Sequence, residues 1–67
     1  MMTVEVPLPG DDVATPMRKM REWLDHMKFE PFRFTWDGVP GRFVVGVMFK
    51  VTEEAVAFAE QFEGRVL

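Results

Sequence analysis

The sequence predicts an α+β domain with the element order β-α-β-β-α and room for a very short last strand. Three observations predict it. Residues 41–51, GRFVVGVMFKV, form the longest run of β-branched and aromatic residues, and the run alternates. Two further stretches, 3–8 and 31–37, also alternate as half-buried strands do, and two segments carry apolar residues at helical spacing.

The first strand covers 3–8, with Val4, Val6 and Leu8 on one side and Thr3, Glu5 and Pro7 on the other. Pro7 and Pro9 end it because neither can donate to a ladder, and Gly10-Asp11-Asp12 follows as a turn. The first helix covers 13–27. Thr15-Pro16 suits an N-cap followed by proline at the first helical position, and Asp12 can cap an earlier start. Val13, Met17, Met20, Leu24 and Met27 fall on one stripe, which Trp23 widens. On the outer face Arg18–Glu22 and Arg21–Asp25 are spaced to pair. Glu30-Pro31 closes this segment, since a residue before proline avoids helical geometry.

The second strand, 31–37, places Phe32, Phe34 and Trp36 on one side and Arg33 and Thr35 on the other. Turn residues 37–41 join it as a hairpin to the third strand. There Phe43, Val45, Val47, Phe49 and Val51 point to a core, while Arg42, Val44, Gly46, Met48 and Lys50 form a mixed face. The second helix is expected to begin at Thr52 as cap, with Glu53 and Glu54 in the first turn and Val51 stapled to Val56. Ala55, Phe58, Ala59 and Phe62 make its buried stripe, Gly64 its stop, and Arg65-Val66-Leu67 the short last strand.

This order is that of a ferredoxin-like split βαβ unit. Right-handed crossovers put the first and third strands in the middle of an antiparallel sheet, the second at an edge, and both helices on one face. The expected hairpin register sets Trp36 opposite Gly41, Phe34 opposite Phe43 and Phe32 opposite Val45, so that all three aromatics join the core. A one-residue slip would turn them outward as a large apolar patch.

Sixty-seven residues make one small domain, 1–67. With no cysteine, disulfides and thiolate metal sites are excluded, and one histidine cannot build an imidazole-rich site. Of the usual supports for small domains, self-association is left open. A net charge of −3 gives no general attraction for nucleic acid or anionic lipid. The N-terminus lacks a basic segment followed by an apolar run, and no stretch approaches membrane-spanning length, so the expected location is the cytoplasm.

GRFVVGVMFKVTEEAVAFAEQFEGRVL resembles the second half of an RNA-recognition motif: central strand, capped helix, then Gly and a short strand. That family stacks bases of single-stranded RNA on aromatics of its two central strands. In this likeness Arg42 takes the basic first position of the family's longer signature, while Glu5, Val44 and Gly46 stand at stacking positions. The resemblance therefore implies the fold and speaks against RNA binding. RKMREWLDHMKFEPFRF and EEAVAFAEQFEGRVL also resemble small stand-alone bacterial proteins of hypothetical function, a likeness that carries no activity with it.

Candidate chemistry is sparse. His26 cannot use Asp25 as a partner, because adjacent helical residues do not face each other. Asp11 and Asp12 fall short of a calcium loop and suit a turn and a cap. Met17, Met20 and Met27 at this spacing suit a core better than an adaptable groove. Serine is absent as well as cysteine, which removes those nucleophiles, and no glycine-rich phosphate loop is present.

The expected function is that of an interaction module, not an enzyme, with no cofactor and no metal. Its expected partner is a second copy of itself, as a homodimer, or another protein; neither nucleic acid nor membrane is expected. The expected interface is the open sheet face, at Glu5, Arg33, Arg42, Val44, Gly46, Met48 and Lys50. A last strand of about three residues also leaves part of the first strand's edge unpaired. The alternative is single-stranded nucleic-acid binding on the same sheet; a third reading, by fold analogy alone, is a small-ligand sensor.

Overall fold

The computed structural model describes residues 1–67. The elements run β1 (Met2–Leu8), α1 (Ala14–Met27), β2 (Arg33–Asp37), β3 (Phe43–Phe49), α2 (Thr52–Phe62) and β4 (Arg65–Val66). The strands form one antiparallel sheet in the order β2-β3-β1-β4, consistent with the ferredoxin-like split βαβ arrangement. The alternation of β3 appears directly as burial, with Phe43, Val45, Val47 and Phe49 buried and Val44, Gly46 and Met48 half-buried. Val4 and Val6 of β1 lie beside them, and Met20 and Leu24 of α1 and Ala55, Phe58 and Ala59 of α2 close the core. Trp23 ties the two helices together: its ring stands edge-on to Phe29, Phe58 and Phe62 at 5.6, 5.9 and 5.6 Å, the arrangement that aromatic quadrupoles favour.

The hairpin register differs from the expected one. Trp36 lies opposite Val45 rather than Gly41, Phe34 opposite Val47 rather than Phe43, and Asp37 opposite Val44. The reason is the chemistry of the connection. Arg42 N–H donates to Val39 O at 2.8 Å across Pro40 and Gly41, and Gly41 has φ +88°, the pattern of a type II turn. Gly38, at φ +111°, is also outside the strand region, so the ladder cannot begin until the chain has passed this turn. A displacement of four residues is even, so each side chain keeps its face.

Facing the helix side does not bury all three aromatics. Phe34 is half-buried, but Phe32 and Trp36 remain 54% and 49% exposed. Phe32 precedes the first residue of β2, and Trp36 sits on an edge strand against Phe43, ring centroids 5.4 Å apart. Cations cover part of this strip: Arg21 Cζ is 5.0 Å from the Phe34 ring centroid and Lys50 Nζ 5.4 Å from that of Phe32. Arg21 thus meets Phe34, and the ion pair expected with Asp25 does not form, whereas Arg18–Glu22 does at 4.0 Å on the exposed surface.

The helix ends carry further corrections. α1 takes the earlier start, at Ala14, with Val13 at its N-cap position and Pro16 third in the helix rather than first. The Asp12 carboxylate, one residue further back, accepts from Ala14 N and Thr15 N at 3.0 and 3.2 Å. Hydrogen bonds from the Thr15 side chain and backbone hold the Asp12 carboxyl below the usual carboxylate range. α2 has Val51, not Thr52, at its N-cap position, without a side-chain cap. Moving the cap back by one breaks the staple spacing, and Val51 and Val56 are both exposed. β3 has already ended at Phe49, so Val51 does not reach the core.

At the other end of α1, Lys28 adopts φ +60°. Lys28 N and Phe29 N donate back to Asp25 O and Leu24 O at 3.2 and 2.9 Å, a Schellman closure that brings Phe29 to Trp23. Met27, in the last turn, is left 41% exposed although it lies on the expected stripe. α2 closes in the same way with Glu63, not Gly64, in the left-handed position. Gly64 serves another purpose: a Cβ there would stand 2.8 Å from Val6 Cγ2, 2.9 Å from Glu5 O and 3.0 Å from Val4 Cγ1.

Candidate interaction surface

Both helices cover one face of the sheet, which leaves the other face open. Strand pairing arranges this face in rows. The middle row is Thr35, Gly46, Glu5 and Arg65, each beside the next on β2, β3, β1 and β4. On one side of it lies the row Arg33, Met48, Thr3, and on the other the row Asp37, Val44, Pro7. The floor is a shallow depression of about 500 Å³ over Val44, Gly46 and Met48, bordered by Thr3, Glu5, Arg33, Thr35 and Asp37. A second depression of about 320 Å³ continues past Pro7 to Glu63 and Gly64, where β4 stops short of the end of β1.

The depression exists because Gly46 has no side chain between two half-buried apolar neighbours. Thr35 Oγ1 leans over it and donates to Gly46 O at 3.4 Å. Glu5 and Arg65 pair at 3.5 Å. With both side chains substantially exposed this pair contributes little to folding, but it holds opposite charges side by side on the surface.

Of the expected interface residues, Glu5, Arg33, Val44, Gly46 and Met48 are brought together here. Arg42 and Lys50 are not. Arg42 belongs to the turn before β3, and Lys50 follows the end of β3 and turns to Phe32. Thr3, Thr35, Asp37 and Arg65 join the face without having been singled out. Period-two alternation already carries Thr3 and Thr35 to this side; Asp37 and Arg65 required the observed pairings with Val44 and Glu5.

Chemically this surface offers recognition groups and an apolar floor. No group of three or more His, Cys, Asp or Glu side chains gathers anywhere in the molecule to hold a metal ion. His26 is exposed in the last turn of α1, away from the open face. On the two central strands, Glu5 and Gly46 pair directly and Val44 lies one row away, so the positions at which bases would stack hold a carboxylate, no side chain and a valine. No helix is long and apolar enough to cross a membrane. Compared with protein-family models, with curated proteins and with solved structures, the chain shows no significant match.

Proposed function

We propose that this chain is a small interaction module that binds a second copy of itself through the open sheet face. The observation that carries this reading is the self-complementarity of the rows. A two-fold axis lying in the interface along the row Thr35–Gly46–Glu5–Arg65 exchanges the two outer rows. Arg33 then meets the second copy's Asp37 and Met48 meets Val44. Glu5 and Arg65, on the axis, face their own counterparts, each Glu5 lying beside Arg65 of its own chain and diagonal to that of the second copy. Gly46 falls on the axis, where the absence of a side chain gives the two sheets room to approach the spacing of about 10 Å at which sheets stack. Such an isologous contact needs each group and its complement on one surface, which this face provides.

Light scattering over a dilution series tests the reading. The mass is expected to rise above 7.8 kDa with concentration, and Val44→Glu, which sets an uncompensated charge on the floor, is expected to lower it. A mass of one chain up to high micromolar concentration, or a Val44→Glu variant that associates as the parent does, would refute it.

A further inference from the structure

The open face leaves one feature of the molecule unused: the outer edge of β2. This strand ends the sheet, so one side of its backbone carries free N–H and C=O groups. Edge strands are commonly protected by proline, by bulges or by inward-pointing charges. Between Arg33 and Asp37 none of these is present; the strand reads Arg-Phe-Thr-Trp-Asp. Its own edge charges, Arg33 and Asp37, are opposite in sign, so they oppose other strands but not an antiparallel copy. Trp36 is 49% exposed on it and Phe34 half-buried, although both point to the helix side of the sheet.

We infer that the β2 edge pairs antiparallel with the β2 edge of a second copy about a two-fold axis at Thr35. The chain itself sets this register. Pro31 on one side and the Gly38–Pro40 turn on the other confine the pairable stretch to the residues between them. Centred on Thr35, the pairing sets Arg33 opposite Asp37 at both ends and Phe34 opposite Trp36 on the helix side. Cross-strand opposite charges and aromatic pairs are the combinations that stabilise a ladder. Moving the centre to Phe34 sets Arg33 against Thr35 and Asp37 against Pro31, and moving it to Trp36 sets Arg33 against Val39 and Phe34 against Gly38, so either slip separates the charges. The occupant is a second copy of this chain, because the edge carries its own complement.

The two proposed axes are compatible. The edge axis is perpendicular to the sheet at Thr35, and the open-face axis runs along the row that contains Thr35. They cross at right angles, so four chains close into a D2 assembly of two eight-stranded layers and no open fibre results. The edge contact does not depend on the open-face contact.

The absence of cysteine makes a covalent test clean. Residues facing each other in an antiparallel pair have Cα atoms about 4.5–5.5 Å apart, inside the range a disulfide spans. A Phe34→Cys chain mixed with a Trp36→Cys chain and mildly oxidised is expected to give a covalent dimer on a non-reducing gel. Each variant alone is expected to remain single, since identical residues lie on a diagonal. Stacking through the open face places these positions on opposite outer sides and gives no such link. Because Phe34→Cys touches the partly buried side, circular dichroism checks that the chains are folded, and Trp36→Glu, at an exposed position, supplies a second reading by light scattering. It is expected to halve the mass of the parent assembly at equal concentration. Folded cysteine chains that do not cross-link when mixed, or Trp36→Glu with the parent's mass, overturn the edge contact. Val44→Glu separates the two readings: a loss of mass with Val44→Glu alone leaves the open face and removes the edge, and a loss with Trp36→Glu alone does the reverse.

Discussion

Gly64→Ala is expected to destabilise the domain, against the usual direction of a glycine-to-alanine change. Where backbone geometry permits alanine, the substitution stabilises by about 0.4–1 kcal/mol through the unfolded chain. Gly64 is free of positive φ, so the backbone raises no objection. The objection is space, since a Cβ would meet Val6 Cγ2, Glu5 O and Val4 Cγ1 at 2.8, 2.9 and 3.0 Å. None of these yields cheaply. A β-branched valine is restricted at χ1, Val4 and Val6 are buried, and Glu5 O is main chain within β1. The junction between α2 and β4 must lift instead, at the typical overpacking cost of about 1–3 kcal/mol. The expected net loss is about 1–2 kcal/mol after the entropic gain. A chain this small has a total stability of roughly 3–10 kcal/mol, and with a urea slope near 1 kcal/mol per molar the midpoint should fall by about 1–2 M. Gly46→Ala is the control, because its Cβ would meet only Thr35 Oγ1 at 3.5 Å, an ordinary contact. Urea unfolding at a dilution where the mass is 7.8 kDa compares the two. A Gly64→Ala midpoint equal to or above that of the parent would refute the close-approach argument.

The two faces of β3 should respond differently to truncation: Phe49→Ala, which empties a fully buried site, should cost about 3–5 kcal/mol, and Met48→Ala on the half-buried side much less in the monomer. Equal, large losses in thermal unfolding would mean that both faces are covered within one chain. Asp12 has its carboxyl pKa lowered by folding, so its contribution is present above the unfolded carboxylate pKa and disappears as pH falls through the lower folded value. Asp12→Ala should therefore reduce the melting temperature near pH 7 and progressively less at acid pH, and a difference that grows on acidification would contradict the cap. Single-stranded RNA should not bind, because Glu5, Val44 and Gly46 offer no stacking surface and the net charge is −3. Salt-sensitive micromolar binding of a mixed-sequence oligonucleotide near 0.1 M salt, measured by fluorescence polarisation, would count against that.

Much of the fold was legible because side-chain direction in a strand has a period of two that no tertiary contact can alter. Phe43, Val45, Val47 and Phe49 alternate with Val44, Gly46 and Met48 in the chain and across the sheet alike. Helical spacing likewise marked Met20, Leu24, Ala55, Phe58 and Ala59. The same periodicity placed Glu5, Arg33, Val44, Gly46 and Met48 on one open face. It failed at the margins, where elements end. Arg42 and Lys50 have the right parity but fall outside β3, and parity has no meaning beyond the ladder. Met27 and Val51 failed for the same reason, one in the last helical turn and the other past the strand.

The sequence by itself determined which side chains share a face and in what order the strands and helices follow. Those are properties of bond geometry over two to four residues, and they survive any even shift between strands. Register was decided only by the tertiary structure, because it depends on where the Val39–Arg42 turn closes and on the bond from Gly41 N to Gly10 O that ties this turn to the end of β1. The same holds for Gly64, whose small size is required by β1, a strand distant in the chain. The opposition of charges across the open face is of this kind too. Arg33, Asp37, Glu5 and Arg65 are scattered along the chain, and only the pairing of four strands sets Arg33 and Asp37 in outer rows that a two-fold axis can exchange, with Glu5 beside Arg65 in the row between them.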